Sequence, residues 1–522
     1  MVFAIEEINN STDLLPGIKL GYRIYDSCVS VPVSVHVAFE LTNGEDPVFY
    51  EGMNCSRSGV VMAAVGDAGS SNSISVSRVI GSFNIPLVSH FATCACLSDK
   101  KQFPTFFRTI PSDHYQADAL AKMVKHFGWT WIGAVHSNSD YGNNGMASFL
   151  EAALREGICV EYIESFFRSD PQIKIKRVAD VIRRSTAKVV LAFTAVGEMK
   201  VLLEELALDP PPPRQWIASE AWITDPNLMS FSFCAGAVGV AIQKSVIPGL
   251  RNYLLDLSPS KVAASPVLTE FWEDAFNCSL TETVDKEKRV CDGTEDLKTV
   301  KNPYTETSQL RVSNMVYKAV YAIAHAIHNA VCEETNKTTH CDKRYKLEPK
   351  QVLNALKKVN FSRNGYHVSF DANGDPVAVY ELINWQKSES GVIELVTVGY
   401  YDASLPRGQE FHINRKITWV EGGTQVPVSV CSESCRPGTH KVLQKGKPIC
   451  CYDCIPCPPG EVSNMTDAVD CFPCSEEFWP NTRNDSCFPK SVEFLSFDEG
   501  LSIILIVFSV GGAFLAIITA VI

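Results

Sequence analysis

The stretch VVMAAVGDAGSS, residues 60–71, joins an apolar run to a small, flexible turn of Gly, Asp, Ala and Ser. The segment that follows, NSISVSRVIGSF, is predicted to be a helix. A strand that ends in a Gly/Ser turn and leads into a helix presents backbone N–H groups to an anion. The stretch therefore predicts a point of anion contact at the start of this helix.

Strand-like and helix-like segments alternate over residues 60–245. The strand-like runs are NIPLVSHF, WTWIGAVHS, ICVEYIESF, KVVLAFTAV and RQWIASEAW, and the helical segments are DHYQADALAKMVKHFG, NGMASFLEAALREG, IKRVADVIRRS and EMKVLLEELAL. A further helix is predicted over 312–331, and further strands within 370–386 and in GVIELVTVGYYDA. Continuous apolar strands between helices predict an α/β fold with parallel sheets covered on both faces.

Length, charge and motifs argue against several classes of protein. The 522 residues are too many for one core, so two or three domains are expected. The formal net charge of −12 argues against a nucleic-acid partner. The turn GDAGSS has neither the lysine of a P-loop nor G-x-G-x-x-G spacing, and neither G-x-S-x-G nor H-E-x-x-H occurs. We therefore do not expect an enzyme.

Nine of the 19 cysteines lie between Cys431 and Cys487, in a stretch without helical periodicity. An exported protein would oxidise such a cluster, whereas a cytosolic one would keep it for metal. If the protein is exported, a small disulfide-stapled module is expected over residues 431–490. The alternative is a zinc site at CYDC and CIPC. Export and the lack of histidine pairs argue against zinc. Because nine is odd, one cysteine must pair outside the module. Glycosylation sequons also favour export, at Asn10, Asn54, Asn277, Asn336, Asn360, Asn464 and Asn484.

The last segment, LSIILIVFSVGGAFLAIITAVI at residues 501–522, carries no charge over 22 positions. At about 1.5 Å per residue, a helix of this length crosses a hydrocarbon core of about 30 Å. A buried core helix is the alternative. The start, MVFAIEEINNS, lacks the basic and long apolar regions of a signal peptide and is predicted to be a helix of a folded domain. We expect a fragment of a longer membrane protein, cut at both ends.

Several colinear segments resemble a known family. They are AIEEINNSTDLLPGIKLGYRIYDSC, FRTIPSDHYQADALAKMVKHFGWTWIGAV, DYG, IASEAW and CCYDCIPCPPGEVSNMTDAVDCFPCSEEFWPN. Over nearly the whole chain they resemble class C G-protein-coupled receptors of the calcium-sensing receptor branch. The stretch HFATCACLSDKKQFPTFFRTIPSD is most similar to the vomeronasal type 2 and fish olfactory receptors of that class.

The resemblance implies a bilobed Venus-flytrap domain of the type I periplasmic-binding-protein kind, a small disulfide-rich β module and a membrane domain of seven helices. The family's signal peptide and first strand would precede Met1. The expected boundaries are residues 1–425 for the flytrap, with the first lobe at about 1–111 and 245–355 and the second at about 112–244 and 356–405, then 426–490 for the cysteine-rich domain and 500–522 for the first transmembrane helix.

The family binds free amino acids, and the resemblance assigns contacts to positions in both lobes. Ser70 and Thr93 of the first lobe would hold the α-carboxylate, because hydroxyls and backbone amides donate hydrogen bonds without bringing a full charge. Phe91 occupies another contact position, where its ring would narrow the pocket or leave only its backbone as a contact.

The α-ammonium would be held by Asp113, Tyr141 and Glu220, two carboxylates and a phenol whose ring face attracts cations. Tyr141 and Glu220 belong to the second lobe on the family pattern, so the ligand would bridge the cleft and favour its closure. Each residue taken alone has a structural alternative: Ser70 and Asp113 as helix caps, Tyr141 as a packed surface aromatic, and Glu220 as a solvated carboxylate.

The resemblance also implies disulfides. Cys28 would pair upstream of Met1, and Cys55 would link two protomers. The pairing of Cys94, Cys96 and Cys234 stays open, and Cys94 and Cys96 are close together on a strand-like stretch that disfavours a mutual bond. The implied pairs are Cys159–Cys450 between the second lobe and the cysteine-rich domain, Cys431–Cys451, Cys435–Cys454, Cys457–Cys471 and Cys474–Cys487 within that domain, and Cys278–Cys291 and Cys332–Cys341 within the flytrap.

The resemblance thus implies the ligand-binding part of a chemosensory receptor for free L-amino acids or related small molecules, in the plasma membrane with its ectodomain outside the cell. It would form a homo- or heterodimer with another class C receptor and reach a G protein only through the missing membrane helices. No cofactor is expected; modulation by Ca²⁺ is possible by analogy, without a nameable metal site. The alternatives are a calcium-sensing or amino-acid taste receptor of the same class, or a non-signalling truncated ectodomain.

Overall fold

The computed structural model describes residues 1–43, 61–263, 265–280, 289–299, 306–308, 310–335, 338–341 and 346–522. The predicted interchain cysteine Cys55 and the sequons at Asn54 and Asn336 lie outside these ranges. The described chain forms two compact units, Met1–Val430 and Cys431–Ile522, and each is described by itself.

Fourteen α-helices occur in the described residues. They are α1 (Val2–Asn9), α2 (Val31–Asn43), α3 (Ser70–Gly81), α4 (Asp113–His126), α5 (Asp140–Arg155), α6 (Gln172–Arg184), α7 (Val196–Leu208), α8 (Glu220–Ile223), α9 (Leu250–Leu255), α10 (Pro259–Val262), α11 (Pro266–Phe276), α12 (Val312–Val331), α13 (Pro349–Leu356) and α14 (Gly500–Val521).

The strands of the described residues are mostly short. They are β1 (Ala64–Val65), β2 (Leu87–Ser89), β3 (Phe106–Arg108), β4 (Trp131–Ser137), β5 (Cys159–Phe166), β6 (Val189–Phe193), β7 (Gln215–Ala218), β8 (Val238–Ile242), β9 (Cys278–Ser279), β10 (Arg289–Val290), β11 (Cys332–Thr335), β12 (Thr338–Cys341), β13 (Asn360–Arg363), β14 (Tyr366–Ser369), β15 (Val379–Lys387), β16 (Ile393–Asp402), β17 (Phe411–Ile413), β18 (Thr439–Leu443), β19 (Tyr452–Pro456), β20 (Glu461–Val462), β21 (Phe472–Pro473), β22 (Phe478–Pro480) and β23 (Cys487–Pro489).

The larger lobe of the first unit, here called the second lobe, is built on an eight-stranded sheet with the order β17-β16-β15-β8-β7-β6-β4-β5. Strands β5, β4, β6, β7 and β8 run parallel, and β15 to β17 are antiparallel. Side chains alternate between two faces, as they must in a strand. In β6, Leu191 packs on the side of α4 and α5, whereas Val190 and Ala192 pack on the side of α6 and α7. Both faces are buried, which confirms the predicted α/β fold.

The first lobe has a smaller parallel sheet, with the order β1-β2-β3. One face packs on α1, α12 and α13 through Val88 and Phe107, and the other faces α3 through Leu87 and Phe106. Of the described residues 61–65 in the predicted strand, only Ala64–Val65 form a regular strand. The predicted helix at 312–331 coincides with α12.

The expected start of the second lobe's last segment, residue 356, lies too early. The hairpin β13–β14 packs on the first-lobe core through Val359 and Val368, next to α13. Ala378, just before β15, is the point where the chain joins the second-lobe core. The chain therefore passes between the lobes at residues 371–378, because the hairpin's apolar face is complementary to α12 and α13 rather than to the large sheet.

The first unit ends at Val430, a few residues after the expected residue 425. The extra residues are held by the second lobe. The Pro427 carbonyl accepts a hydrogen bond from Trp129 Nε1 at 2.6 Å, and the Ser429 carbonyl accepts from the N–H groups of Thr130 and Trp131 at 3.1 and 3.2 Å.

The second unit contains three small antiparallel hairpins, of which β18–β19 is the longest, and the apolar helix α14. Helix α14 has a mean hydropathy of 2.7 over its most apolar window and is, by length and composition, long enough to cross a membrane. Only Cys435, Cys451 and Cys457 among the module's bonded cysteines are buried, so the module relies on disulfides rather than on a large hydrophobic core, as expected for so short a chain. Its bonds are Cys431–Cys451, Cys435–Cys454, Cys457–Cys471 and Cys474–Cys487.

In the first unit the structure has the bonds Cys278–Cys291 and Cys332–Cys341. It also joins Cys94 to Cys96, a bond that we did not expect. The expectation was wrong because the chain is not extended there. Cys94 caps a short 3₁₀ turn, Ala95–Ser98, which brings the two Cα atoms to 5.3 Å, within the usual range for a disulfide.

The pairing of Cys28 upstream of Met1 and the bond Cys159–Cys450 stay predictions. Cys28 is exposed with a free thiol, and Cys234, whose pairing the sequence left open, is buried with one.

The sequon asparagines Asn10, Asn277, Asn360 and Asn464 are exposed, as an oligosaccharide acceptor must be. Asn484 differs, because it is half-buried and its Nδ2 donates a hydrogen bond to the Cys457 carbonyl at 3.3 Å. Glycosylation stays a prediction at all of these positions, and Asn484 is the least suitable of them.

Gly239 tests the packing of the large sheet. A Cβ at this position would lie 2.5 Å from the Ala218 carbonyl oxygen and 2.7 Å from the Ala218 Cβ, and backbone cannot move aside. We expect Gly239→Ala to lower the free energy of unfolding by about 1–3 kcal/mol, measured as a lower melting temperature in circular dichroism. Gly21→Ala is the control, because a Cβ at Gly21 meets nothing within 4 Å. Equal melting temperatures for both variants would contradict this packing.

Candidate functional site

The predicted contacts of the first lobe lie at the carboxyl ends of β1 and β2. Ser70 is the first residue of α3 and is 5% exposed. The helix is capped by Gly69, and the Ser70 Oγ instead accepts a hydrogen bond from the Cys94 N–H at 3.2 Å. Thr93, 3% exposed, precedes this cysteine in the loop after β2. Ser70 and Thr93 therefore share one buried corner, although 23 positions separate them in sequence.

Asp113 connects this corner to the second lobe. It begins α4 and is fully buried, and its N–H donates to the Thr93 carbonyl at 2.8 Å. Its Oδ1 accepts from Gln116 Nε2 at 2.6 Å, whereas its Oδ2 is buried without a hydrogen-bond partner in the described chain. The helix cap at this end is the Ser112 side chain, so the Asp113 carboxyl group is not used as one.

Glu220 is joined to the same group through Gln116. The N–H of Glu220, at the start of α8, donates to Gln116 Oε1 at 2.6 Å. Gln116 is fully buried and thus bridges the N-terminal ends of α4 and α8. Glu220 is 4% exposed, so it is not a solvated surface carboxylate, which was the structural alternative for this residue.

Two phenols point into this region. The ring of Tyr141 is partly buried and packs on Phe193, with ring centres 4.9 Å apart. Its hydroxyl oxygen is buried, with Ser219 and Gln116 as polar neighbours, but no described residue is placed well enough to form a regular hydrogen bond to it. The hydroxyl of Tyr380 on β15, whose side chain is fully buried, also lacks a regular hydrogen-bond partner among the described residues. A buried polar atom without a partner costs free energy, so its presence needs a reason such as a ligand.

The titration of the two carboxyl groups reflects their burial. Burial raises the pKa of Asp113 to about 7, against the opposing effects of the Thr93 hydroxyl, the charge of Arg108 and Gln116. Burial also raises the pKa of Glu220 to about 8; the neighbouring Asp113 carboxyl raises it too, and Arg311 opposes both effects. These effects show that the carboxyl groups are close enough to interact and that both are partly protonated near neutral pH.

The phenols respond to the same surroundings. Burial raises the pKa of Tyr141 well above its usual value, and the Asp113 carboxyl adds to the increase. Burial raises the pKa of Tyr380 in the same way, with further contributions from Asp113 and Glu220. Both hydroxyls therefore stay protonated and can donate or accept a hydrogen bond at neutral pH.

The sequence did not single out Gln116 or Tyr380. Gln116 lies one helical turn after Asp113, and this i, i+3 spacing was the available signal. Tyr380 is distant in sequence, and only the pairing of β15 with β8 brings it to the site. Phe91 is the predicted contact with the weakest support, since its half-buried ring packs against the second-lobe core.

One described cavity lies away from these residues. It has a volume of about 940 Å³, is bounded by residues 18–27 and by the segment around β1, and none of the six predicted contacts lines it. A smaller cavity of about 290 Å³ lies between α3 and the start of α5, and none of the six predicted contacts lines it either. It is lined by the immediate neighbours of Ser70 and Tyr141, namely Ser71 and Asp140.

Metal ligation by cysteine finds no support in the described residues. Three groups of Cys with His or Glu are close enough together to hold an ion, but each contains both sulfurs of one disulfide. Sulfur ligands to zinc must be thiolates. The oxidised pairs in the cysteine-rich module therefore contradict the zinc alternative.

Comparison with known proteins agrees with this architecture. The model of the receptor family ligand binding region matches residues 1–388, and the model of the nine cysteines domain of family 3 G-protein-coupled receptors matches residues 426–480. A two-lobed ligand-binding region followed by nine cysteines defines a receptor ectodomain. The chain belongs to the class C G-protein-coupled receptors, as its resemblance predicted.

Similar curated proteins are receptors, not enzymes. The extracellular calcium-sensing receptor of Sus scrofa is 38% identical over 99% of this chain and 51% of its own length. The taste receptor type 1 member 1 of Mus musculus is 32% identical over 97% of this chain and 59% of its own length. The G-protein coupled receptor family C group 6 member A of Carassius auratus is 32% identical over 99% of this chain and 57% of its own length. The chain spans about half the length of the calcium-sensing receptors it matches.

The buried carboxyl pair predicts a pH dependence of stability without ligand. Folding raises both pKa values, so the folded state binds more protons than the unfolded state between about pH 4 and about pH 8. Stability should therefore be greatest at the acidic end and fall as the pH rises through this window. Melting temperatures across the window should fall less steeply for the Asp113→Asn, Glu220→Gln double variant than for the wild type.

The control for this experiment is Glu151→Gln, which changes a carboxyl group that is 76% exposed. It should leave the slope of the wild type unchanged. Parallel slopes for the double variant and the wild type would show that the two carboxyl groups are not buried together.

Proposed function

We propose that this chain is the ligand-binding part of a chemosensory class C receptor that recognises free L-amino acids or related small ligands. The observation that carries the proposal is a set of three buried polar atoms that lack a regular hydrogen-bond partner in the described chain and belong to side chains that interact electrostatically. These atoms are Asp113 Oδ2 and the hydroxyls of Tyr141 and Tyr380. On this proposal, acidic and phenolic groups would face hydroxyl and amide donors across a cleft between the two lobes.

The α-carboxylate of the ligand would be held by the first lobe. The Ser70 oxygen accepts from the Cys94 N–H, which leaves its hydroxyl hydrogen free to be donated. Thr93 offers a second hydroxyl in the same corner. Neutral donors suit this task, because a buried cation would need its own compensating partner. Phe91 would border the pocket.

The α-ammonium would be held by Asp113, Tyr141 and Glu220. An ammonium group donates three hydrogen bonds, and Asp113 Oδ2 and the Tyr141 oxygen both lack a regular hydrogen-bond partner in the described chain. Its positive charge would favour ionisation of the two carboxyl groups, so ligand binding near neutral pH is expected to release protons. The Tyr141 ring face would add cation–π attraction.

Signalling would follow from closure of the cleft. A ligand that contacts both lobes stabilises the closed arrangement over the open one by its difference in affinity. The rearrangement would pass to the cysteine-rich domain through the predicted Cys159–Cys450 bond, and between protomers of a homo- or heterodimer in which Cys55 is the candidate link. A G protein would be engaged through further membrane helices, and the ectodomain would face the extracellular side of the plasma membrane.

A calcium-sensing receptor is the second candidate. The support is that calcium-sensing receptors are among its relatives at 37–38% identity, together with two interacting buried carboxyl groups. A taste receptor has similar support from relatives 30–32% identical. The vomeronasal or fish olfactory assignment rests on the stretch HFATCACLSDKKQFPTFFRTIPSD alone, and a non-signalling ectodomain would bind the same ligands.

The test is a thermal-shift screen of the full chain in detergent micelles against each common L-amino acid, and separately against CaCl₂. We expect at least one amino acid to raise the melting temperature, because a ligand that binds only the folded state stabilises it. The Ser70→Ala, Thr93→Ala double variant should abolish that shift. Glu220→Gln should reduce the shift in melting temperature by a similar factor for every amino acid. The reason is that Glu220 would bind the α-ammonium group, which all of them share.

Ser82→Ala is the control, since Ser82 is an exposed residue at the far end of the same helix. It should retain the wild-type shift. If amino acids still bind the double variant, the carboxylate assignment is wrong. If only CaCl₂ stabilises the wild type, the calcium-sensing candidate replaces the amino-acid proposal.

A further inference from the structure

Arg108, at the end of β3, is a fully buried cation that the proposed ligand contacts do not use. Its Nε lies 2.6 Å from Asp375 Oδ1. Its Nη2 donates to the Ser98 hydroxyl, and its Nη1 donates to the carbonyls of Ala92 and Cys94 at 3.1 and 2.8 Å. A buried charge is tolerated only with such pairing, so each of these contacts constrains its partner strongly.

The two carbonyls lie on either side of Thr93, a proposed ligand contact. The Cys94 N–H is directed to Ser70 Oγ, and the Thr93 carbonyl accepts from the Asp113 N–H. The loop at residues 92–94 is therefore held from three directions, and Arg108 supplies two of its hydrogen bonds. A guanidinium group can do this because its donors form a rigid planar fork, which the single ammonium of lysine lacks.

The other partner, Asp375, belongs to the segment where the chain leaves the first lobe. Its Oδ2 accepts from the Ser98 hydroxyl at 2.6 Å, and its N–H donates to Asp371 Oδ1 at 2.9 Å. The Arg108 N–H donates to the carbonyl of the preceding Gly374 at 3.1 Å. The turn at 371–375 is thus joined to β3 through both backbone and side chains, only a few residues before the second-lobe core begins at Ala378.

We propose that Arg108, Ser98 and Asp375 form a positioning network that aligns the ligand loop at residues 92–94 with the crossing between the lobes. The network would make ligand affinity depend on the fork geometry of Arg108, although none of the three side chains is assigned to the ligand. This proposal rests on the proposed amino-acid site for its affinity readout, and it has a second readout that needs no ligand.

Arg108→Lys is the decisive variant, because it keeps the charge near Asp375 and removes the paired bonds to the two carbonyls. Titration of the full chain in detergent micelles with each common L-amino acid should show about tenfold weaker binding or more. Ser98→Ala is a milder variant that removes only the bridging hydroxyl, and it should weaken binding by a smaller factor. Circular dichroism establishes that each variant is folded.

The matched control is Arg214→Lys, at another buried arginine, 6% exposed, in the second lobe. Its Nη2 donates to the carbonyls of Ile182, Arg183 and Ser185 at 3.2, 3.3 and 2.8 Å, away from the site. Arg214→Lys should lower the melting temperature but leave amino-acid affinity within about twofold of the wild type. Equal weakening by both arginine variants would attribute the effect to global stability and overturn the proposal.

Hydrogen exchange of the ligand-free chain gives the second readout. Peptides covering residues 90–98 should exchange faster in Arg108→Lys than in the wild type. In Arg214→Lys, the exchange rate of these peptides should equal that of the wild type. The proposal would be overturned if these peptides exchanged in Arg108→Lys at the wild-type rate. It would also be overturned if a folded Arg108→Lys chain bound amino acids with wild-type affinity. If the wild type binds no amino acid, the proposed function fails, and faster exchange in Arg108→Lys still supports the positioning of the loop.

Discussion

The burial of two carboxyl groups in one cleft is the constraint on which this site depends. Asp113 and Glu220 are nearly inaccessible to water, and the Asp113 carboxyl adds to the rise that burial gives the pKa of Glu220. Gln116 joins these two residues through its side-chain amide. Its Nε2 donates to Asp113 Oδ1 at the start of α4, and its Oε1 accepts from the Glu220 N–H at the start of α8. A fold gains nothing from such an arrangement by itself, because buried like charges oppose folding. The arrangement is explained if a small cationic group completes it.

Parallel strands place these groups. In an open α/β sheet, the loops that leave the carboxyl ends of neighbouring strands meet at one edge, where ligands are bound. Ser70 follows β1, Thr93 follows β2 and Asp113 follows β3 in the first lobe, and Tyr141 and Glu220 follow β4 and β7 in the second. Two sheets facing each other across this edge form a cleft, and the three connections between the lobes, after Arg108, after Ile242 and at residues 371–378, determine how its walls align.

Expectations drawn from local sequence or from the family pattern failed at three places. The stretch at Cys94 was interpreted as extended, yet a 3₁₀ turn after it brings Cys96 within bonding distance. The lobe boundary near residue 356 was placed by family pattern, whereas the hairpin at 360–369 has an apolar face that packs on α12 and α13. Of the described residues 61–65 in the apolar run, only Ala64–Val65 form a strand. The boundary shows most clearly that a tertiary contact can override an expected position.

The sequence alone determined the fold class, because continuous apolar strands alternating with amphipathic helices can bury their faces only in layered parallel sheets. It also determined the cysteine-dense module and the apolar helix, since both are properties of composition over a short stretch. Only the tertiary structure decided that Ser70, Thr93, Asp113 and Glu220 are buried and Tyr141 partly buried, and that Tyr380 and Arg108 join their surroundings. Burial depends on which distant elements pack together, and that information is not contained in any one segment of the chain.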